Sequence, residues 1–115
     1  MSKDKITIEI SRDVYEKLKT EIQEEITIIK SFNDFIGKKV FLRTVTYHLT
    51  GEVTHIVGNL LFLKNAAWIA DSGRFTQTIL EGILNEVEFV GDWFVNTDTI
   101  VDGCIWRHDL PLKQK

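Results

Sequence analysis

The spacing of hydrophobic positions changes twice along the chain. Ile6, Ile8 and Ile10 alternate with Thr7 and Glu9, which is the two-residue period of a short strand. Ser11 then suits an N-cap, and Asp13 falls in the first turn, where the helix dipole favours a carboxylate. Val14, Leu18, Ile22, Ile26 and Ile29 follow at helical spacing and predict one apolar stripe on a helix from about Arg12 to Lys30. Glu16, Lys17, Lys19, Glu21, Glu24 and Glu25 form its solvated face. The β-branched run Ile26-Thr27-Ile28-Ile29 leaves the end of that helix open to a strand reading.

From Gly37 the pattern becomes strand-like. Val40 to Thr50 is rich in β-branched and aromatic residues and reads as strand, and Gly51 allows a bend before Val53-Thr54-His55-Ile56-Val57 continues it. Gly58-Asn59 is a hairpin signal, and Leu60 to Lys64 is the returning strand, apolar on both faces. Asn65 ends that strand in the sequence reading, with Ala66 to Ala70 continuing as an apolar run. Thr76 to Glu81 predicts one or two helical turns closed by Gly82 near the C-cap. Glu86 to Val90 alternates, Gly91-Asp92 reads as a turn, Trp93-Phe94-Val95 as a strand, Asn96-Thr97-Asp98 as a polar turn, and Thr99 to Trp106 as the last strand. The sequence therefore predicts a strand and helix over 1–34, a small β-barrel over 35–106 and a flexible tail over 107–115, which holds Pro111. The fold class is mainly β with an N-terminal helix: a strongly bent five-stranded barrel with a short helical insert.

Composition narrows the function. With 43% apolar and 27% charged residues, the chain is an ordinary globular one. The net charge of −3 divides into −2 over residues 1–34 and −1 over the remainder, so no basic segment exists to hold nucleic acid nonspecifically. Any anion site is local. The single Cys104 excludes an intramolecular disulfide framework and fits a reducing compartment. No apolar run approaches the ~20 residues of a membrane span, and Met1 to Lys5 is not followed by the apolar core of a signal peptide. A cytoplasmic location without membrane contact is expected.

The segments Phe35 to Leu42, Leu49 to Val53 and Asn59 to Ala66, with a closing Trp93 to Val101, resemble the Sm-like β-barrel superfamily over roughly residues 30–106. Other SH3-like barrels share the spacing. The resemblance implies a homo-oligomer assembled through barrel-edge strands, and RNA as a ligand. It also implies a base-contacting role for Asn59 and places Asn96 and Thr97 at the family's second RNA motif. The basic residue usual in that second motif is missing, and the loop before Asn59 is shorter than the family's. The opening Ile6 to Leu18 resembles the start of ribbon-helix-helix DNA-binding proteins, but β structure begins at Phe35 where those proteins need a second helix.

The segment Trp68 to Phe75 carries the chemistry read from the residues themselves. Gly73 lets a backbone approach a ligand, Ser72 and Arg74 supply donors suited to phosphate, and Asp71 begins the insert. Trp68 or Phe75 would stack a base, worth ~1–3 kcal/mol. The bland reading is that Asp71 or Ser72 caps the short helix, Arg74 pairs with Asp71, and both aromatics belong to the core. His48, His55 and His108 lack the Cys or carboxylate spacing of a zinc site, and no nucleophile elbow, P-loop or dinucleotide motif is present. No metal, cofactor or catalytic residue is expected. The function expected is a non-catalytic homo-oligomeric binding protein for a nucleotide-sized anionic ligand, in the style of phage sponges that sequester nucleotide immune signals. The alternatives are an Sm-like RNA-binding protein, a protein–protein adaptor and a small hydrolase.

Overall fold

A computed structural model describes residues 29–115 together with Glu16, which is helical. The strand and the helical stripe read over residues 6–28 otherwise lie outside the described residues, while Ile29 and Lys30 are not helical. The chain divides into Met1–Lys30 and Ser31–Lys115, and the strands described below all belong to the second unit. After a 3-10 turn at Phe32–Phe35 come β1 (Lys39–Thr44), β2 (His48–Val57), β3 (Leu60–Asp71), α1 (Phe75–Glu81), β4 (Glu86–Asn96), a second 3-10 turn at Thr97–Thr99, and β5 (Ile100–Ile105). The strands form one antiparallel sheet in the order β4-β3-β2-β1-β5.

The sheet rolls on itself. Val40 and Leu42 from β1, Leu49 and Val53 from β2, Leu61, Leu63 and Ala66 from β3 and Val95 from β4 share one buried cluster, and Ile100 and Ile105 of β5 pack against it. β4 and β5 stand at opposite ends of the strand order, so they reach one interior only if the sheet curls. This is the strongly bent five-stranded barrel that the strand pattern predicts. Burying each of the Val and Leu side chains of this cluster is worth ~1.5–3 kcal/mol. Because neighbouring residues on a strand face opposite ways, Phe41 points outward between Val40 and Leu42. It joins Ala67, Ile69, Leu84, Val87 and Trp106 in a second buried cluster, which Ile79 of α1 and Leu110 help to cover. The second cluster covers the outer face of β3 at Ala67 and Ile69, whereas the outer face at Leu60 and Phe62 is only half-buried.

Several boundaries differ from the sequence reading. The stretch Val40 to Thr50 is not one strand: β1 stops at Thr44, and Thr44 Oγ1 accepts from the Tyr47 N–H at 3.0 Å and donates to the Tyr47 carbonyl at 2.6 Å across a tight turn. The β-branched residues of that turn hid it, although Val45 is 73% exposed. Asn65 does not end β3. It takes a positive φ of 51° within a continuous strand of 12 residues, and the β3–β4 register shifts at that point. Gly91-Asp92 is not a turn either. β4 runs unbroken for 11 residues, and Gly91, at a φ of 82°, makes a bulge against the shifted part of β3. Glycine is suited to that conformation because it has no Cβ to clash. β4 and β5 do not form a paired final hairpin; each pairs inward, with β3 and β1.

The segment 107–115, expected to be flexible, folds back onto the sheet. His108 Nε2 lies 2.8 Å from the Ile79 carbonyl, its own carbonyl accepts from Lys39 Nζ at 2.6 Å, and Leu110 packs on the second cluster. Trp106 is 2% exposed and donates from Nε1 to the Asp109 carbonyl at 3.2 Å. An aromatic anchor at the start of the segment ties it down, and the polar composition of the rest concealed this. Among the described residues no helix is long and apolar enough to cross a membrane.

Candidate functional site

The residues singled out in the sequence do not meet at one place. β3, at 12 residues and about 3.3 Å per residue, separates the Asn59 hairpin at one end from the Asp71 insert at the other. At the first end, Asn59 and Asn96 come together. Asn59 Nδ2 lies 3.3 Å from Asn96 Oδ1 and 3.5 Å from Asp98 Oδ2. Asn96 Oδ1 accepts from the Asp98 N–H at 2.9 Å, and Thr97 donates to the Asn59 carbonyl from its N–H at 2.8 Å and from its hydroxyl at 3.1 Å. The β2–β3 hairpin and the 3-10 turn after β4 thus form one polar tip. Residues 37 positions apart in sequence are brought into contact there. The tip carries Asp98 and no cation of its own.

Beside the tip runs an aromatic row that the sequence reading did not single out. His55, Phe62 and Phe94 stand opposite one another on β2, β3 and β4. The His55 and Phe62 rings stack at 4.3 Å, Phe62 and Phe94 lie 5.2 Å apart, and Phe94 is 56% exposed. Asn96 is two residues beyond Phe94 on the same strand, so both project from the same face, ~7 Å apart. For two of the three the signal was available: Phe62 and Phe94 fall out of step with the buried Leu61, Leu63 and Val95, whereas His55 keeps the period of Val53 and is turned to the other face by the irregularity between Val53 and His55.

At the far end the insert is closed by its own polar groups. Asp71 accepts from the Gly73 N–H at 2.9 Å and from Asn85 Nδ2 at 3.4 Å. The Thr78 hydroxyl, wholly buried, sits 2.5 Å from the Ser72 carbonyl and 2.9 Å from that of Ile83. Neither part of the bland reading holds here: the N-cap of α1 is Arg74, with no side-chain cap bond, and Asp71 ties the loop through Gly73 and Asn85 instead of capping the helix or pairing with Arg74. Arg74 is exposed at the start of α1, and Gly73 has a φ of 76°.

Trp68 and Phe75 lie on opposite faces of the sheet. Trp68 packs against the interior cluster, stacked on Tyr47 at 4.9 Å and edge-on to Trp93 at 5.3 Å. Phe75 is 40% exposed and sits on the outer face against Phe41 and His48, with the Arg43 guanidinium 5.1 Å above its ring. Arg43 donates from Nε and Nη2 to the two carboxylate oxygens of Asp102 across β1 and β5, and that pairing holds the Asp102 carboxyl below the usual carboxylate range. Burial, reinforced by the Arg43 charge, lowers the pKa of His48. Burial raises that of the Cys104 thiol, followed by the nearby Asp102 charge.

The histidines do not converge. His48 and His55 sit at opposite ends of β2, against Phe75 and Phe62, and His108 packs on Trp106 at 4.9 Å. Among the described residues no group of His, Cys, Asp and Glu is placed to hold a metal ion.

No protein-family model matches the chain, and no curated protein does. Among solved structures it is similar to a heptameric archaeal Sm protein, with 19% identity, a TM-score of 0.47, and coverage of 64% of this chain and 91% of the other. It is similar in the same degree to the SmAP1 heptamer of P. aerophilum, with 19% identity, a TM-score of 0.47, and coverage of 64% and 84%.

Proposed function

We propose that this chain is a non-catalytic, homo-oligomeric Sm-type binding protein for a nucleotide-bearing ligand, in a cytoplasmic setting. The observation that carries the ligand class is the junction of Asn59 and Asn96. An asparagine offers one acceptor oxygen and two donor hydrogens, the complement of a base edge. The Asn59 bonds at 3.3 and 3.5 Å are long and readily exchanged for bonds to a ligand. Phe94 supplies an exposed ring for stacking on the same face. Self-association is supported by the position of β4 and β5 at the two edges of the sheet, since unpaired strand edges are templates for another chain.

The tip has no cation, so affinity there comes from the base more than from phosphate. RNA binding at the tip then has a shallow salt dependence, below the slope of ~0.7 per phosphate contact that a cation-rich site gives. A narrower version, sequestration of a free anionic nucleotide in the manner of a sponge, is supported by the exposed Arg74 beside Gly73 and by the half-exposed Phe75. Fluorescence anisotropy with labelled U-rich and A-rich oligoribonucleotides and with a labelled mononucleotide separates the two. Loss of binding in Asn59→Ala with Arg74→Ala unaffected supports the tip. The reverse, with preference for the mononucleotide, supports the insert. No binding by any probe at micromolar protein overturns the ligand reading and leaves the adaptor.

A further inference from the structure

The free edge of β4 is not open along its whole length. Val87 and Lys115 exchange both main-chain hydrogen bonds, the Val87 N–H donating to Lys115 at 3.0 Å and the Lys115 N–H donating to Val87 at 2.9 Å. That exchange is the hydrogen-bonded pair of an antiparallel ladder. The other side of β4 is taken by β3, so Lys115 lies on the outer edge. The chain reaches it through successive anchors. Trp106 is buried in the second cluster. The His108 ring packs so closely on Gly82 that a Cβ there would stand 2.6 Å from His108 Cγ, and it contacts the last turn of α1 through the Ile79 carbonyl at 2.8 Å. Leu110 returns to the apolar cluster.

We propose that residues 106–115 form an edge strap that reserves the Val87 end of β4 and confines strand addition by a second copy of the chain to the Phe89–Asn96 end. The inference rests on the self-association reading above. β4 has 11 residues and β5 has 6; setting aside Glu86, Val87 and Glu88 leaves 8 positions, which still hold a whole β5 from a neighbour but in fewer registers. Without the strap the full edge would accept β5 in about twice as many shifted registers. Each shift by one residue exchanges the faces of the incoming strand, and mixed registers do not close into one symmetric assembly.

Two variants of the full chain test this. His108→Ala removes the latch on α1, and Lys115→Pro removes the N–H that donates to Val87 while leaving the buried anchors in place. Hydrogen exchange at the Val87 amide reports the strap, and sedimentation velocity reports the assembly. The expected result is a protected Val87 amide and one discrete species in the wild type. In both variants Val87 should exchange at least tenfold faster, and the species should broaden toward larger sizes. An unprotected Val87 in the wild type overturns the strap. So does faster exchange in both variants with an unchanged discrete assembly, which leaves self-association standing. A monomeric wild type whose variants are also monomeric overturns the self-association reading and the strap with it.

Discussion

Replacing Gly103 with alanine isolates what closes the sheet onto β5. Gly103 stands opposite Leu42 in the β1–β5 ladder. A Cβ built there meets the Phe41 carbonyl oxygen at 2.6 Å and Leu42 Cδ2 at 2.9 Å. The Leu42 methyl can turn away, but the carbonyl belongs to the ladder and moves only if β1 and β5 separate. Overpacking of this kind costs ~1–3 kcal/mol; the upper half of that range applies here because the obstruction is backbone. Gly58 is the control. Its φ is 58° and nothing lies within 4 Å of a built Cβ, so its demand is conformational and not steric. Asparagine tolerates that conformation. Gly58→Asn should therefore change stability by less than about 0.5 kcal/mol, as ordinary surface substitutions do, whereas Gly103→Asn should be worse than Gly103→Ala. Urea unfolding followed by tryptophan fluorescence measures all of these. A Gly103→Ala protein within ~0.5 kcal/mol of wild type would refute the claim that β1 and β5 are in rigid contact.

Thr78→Val removes the one O–H that the Ser72 and Ile83 carbonyls share and should cost about 0.5–1.5 kcal/mol, the net worth of a hydrogen bond, while Thr78→Ser restores most of it; equal stability of all three by urea unfolding would contradict this. His48 binds its proton less readily in the fold than in the unfolded chain. Its contribution is therefore fully present above the unfolded value near 6.5 and is lost as pH falls below it; a melting temperature that does not drop through that window, or drops equally in His48→Gln, would count against it. Burial raises the pKa of Cys104, so iodoacetamide should label it far more slowly than free cysteine at neutral pH, and equal rates would contradict the packing of β5 on the second cluster.

The strand periods, the Gly58-Asn59 hairpin and the short helix closed by Gly82 were legible because each rests on a local rule. What escaped was set by distant partners. Gly91 has the appearance of a turn, and only the matching irregularity near Asn65 on β3 turns it into a bulge. The order of the segment after Trp106 depends on α1 and β4, which no local pattern reveals. At the candidate site, the Sm-like resemblance assigns Asn59 and Asn96 to two separate motifs, and the fold brings their side chains within 3.3 Å of each other. The Trp68–Phe75 segment looked like a single site only because its residues are consecutive. Strand alternation and the end of β3 send Trp68 inward and Phe75 outward.

Sedimentation equilibrium of the full chain beside Val101→Lys bears most directly on the central claim. Val101 is 64% exposed on the edge strand β5, so a lysine there leaves the core untouched and places a charge where a neighbouring strand would pair. The wild type should sediment as one closed assembly of several chains, and Val101→Lys as a folded monomer whose unfolding midpoint no longer depends on protein concentration. A wild type that is monomeric throughout the micromolar range would contradict the account.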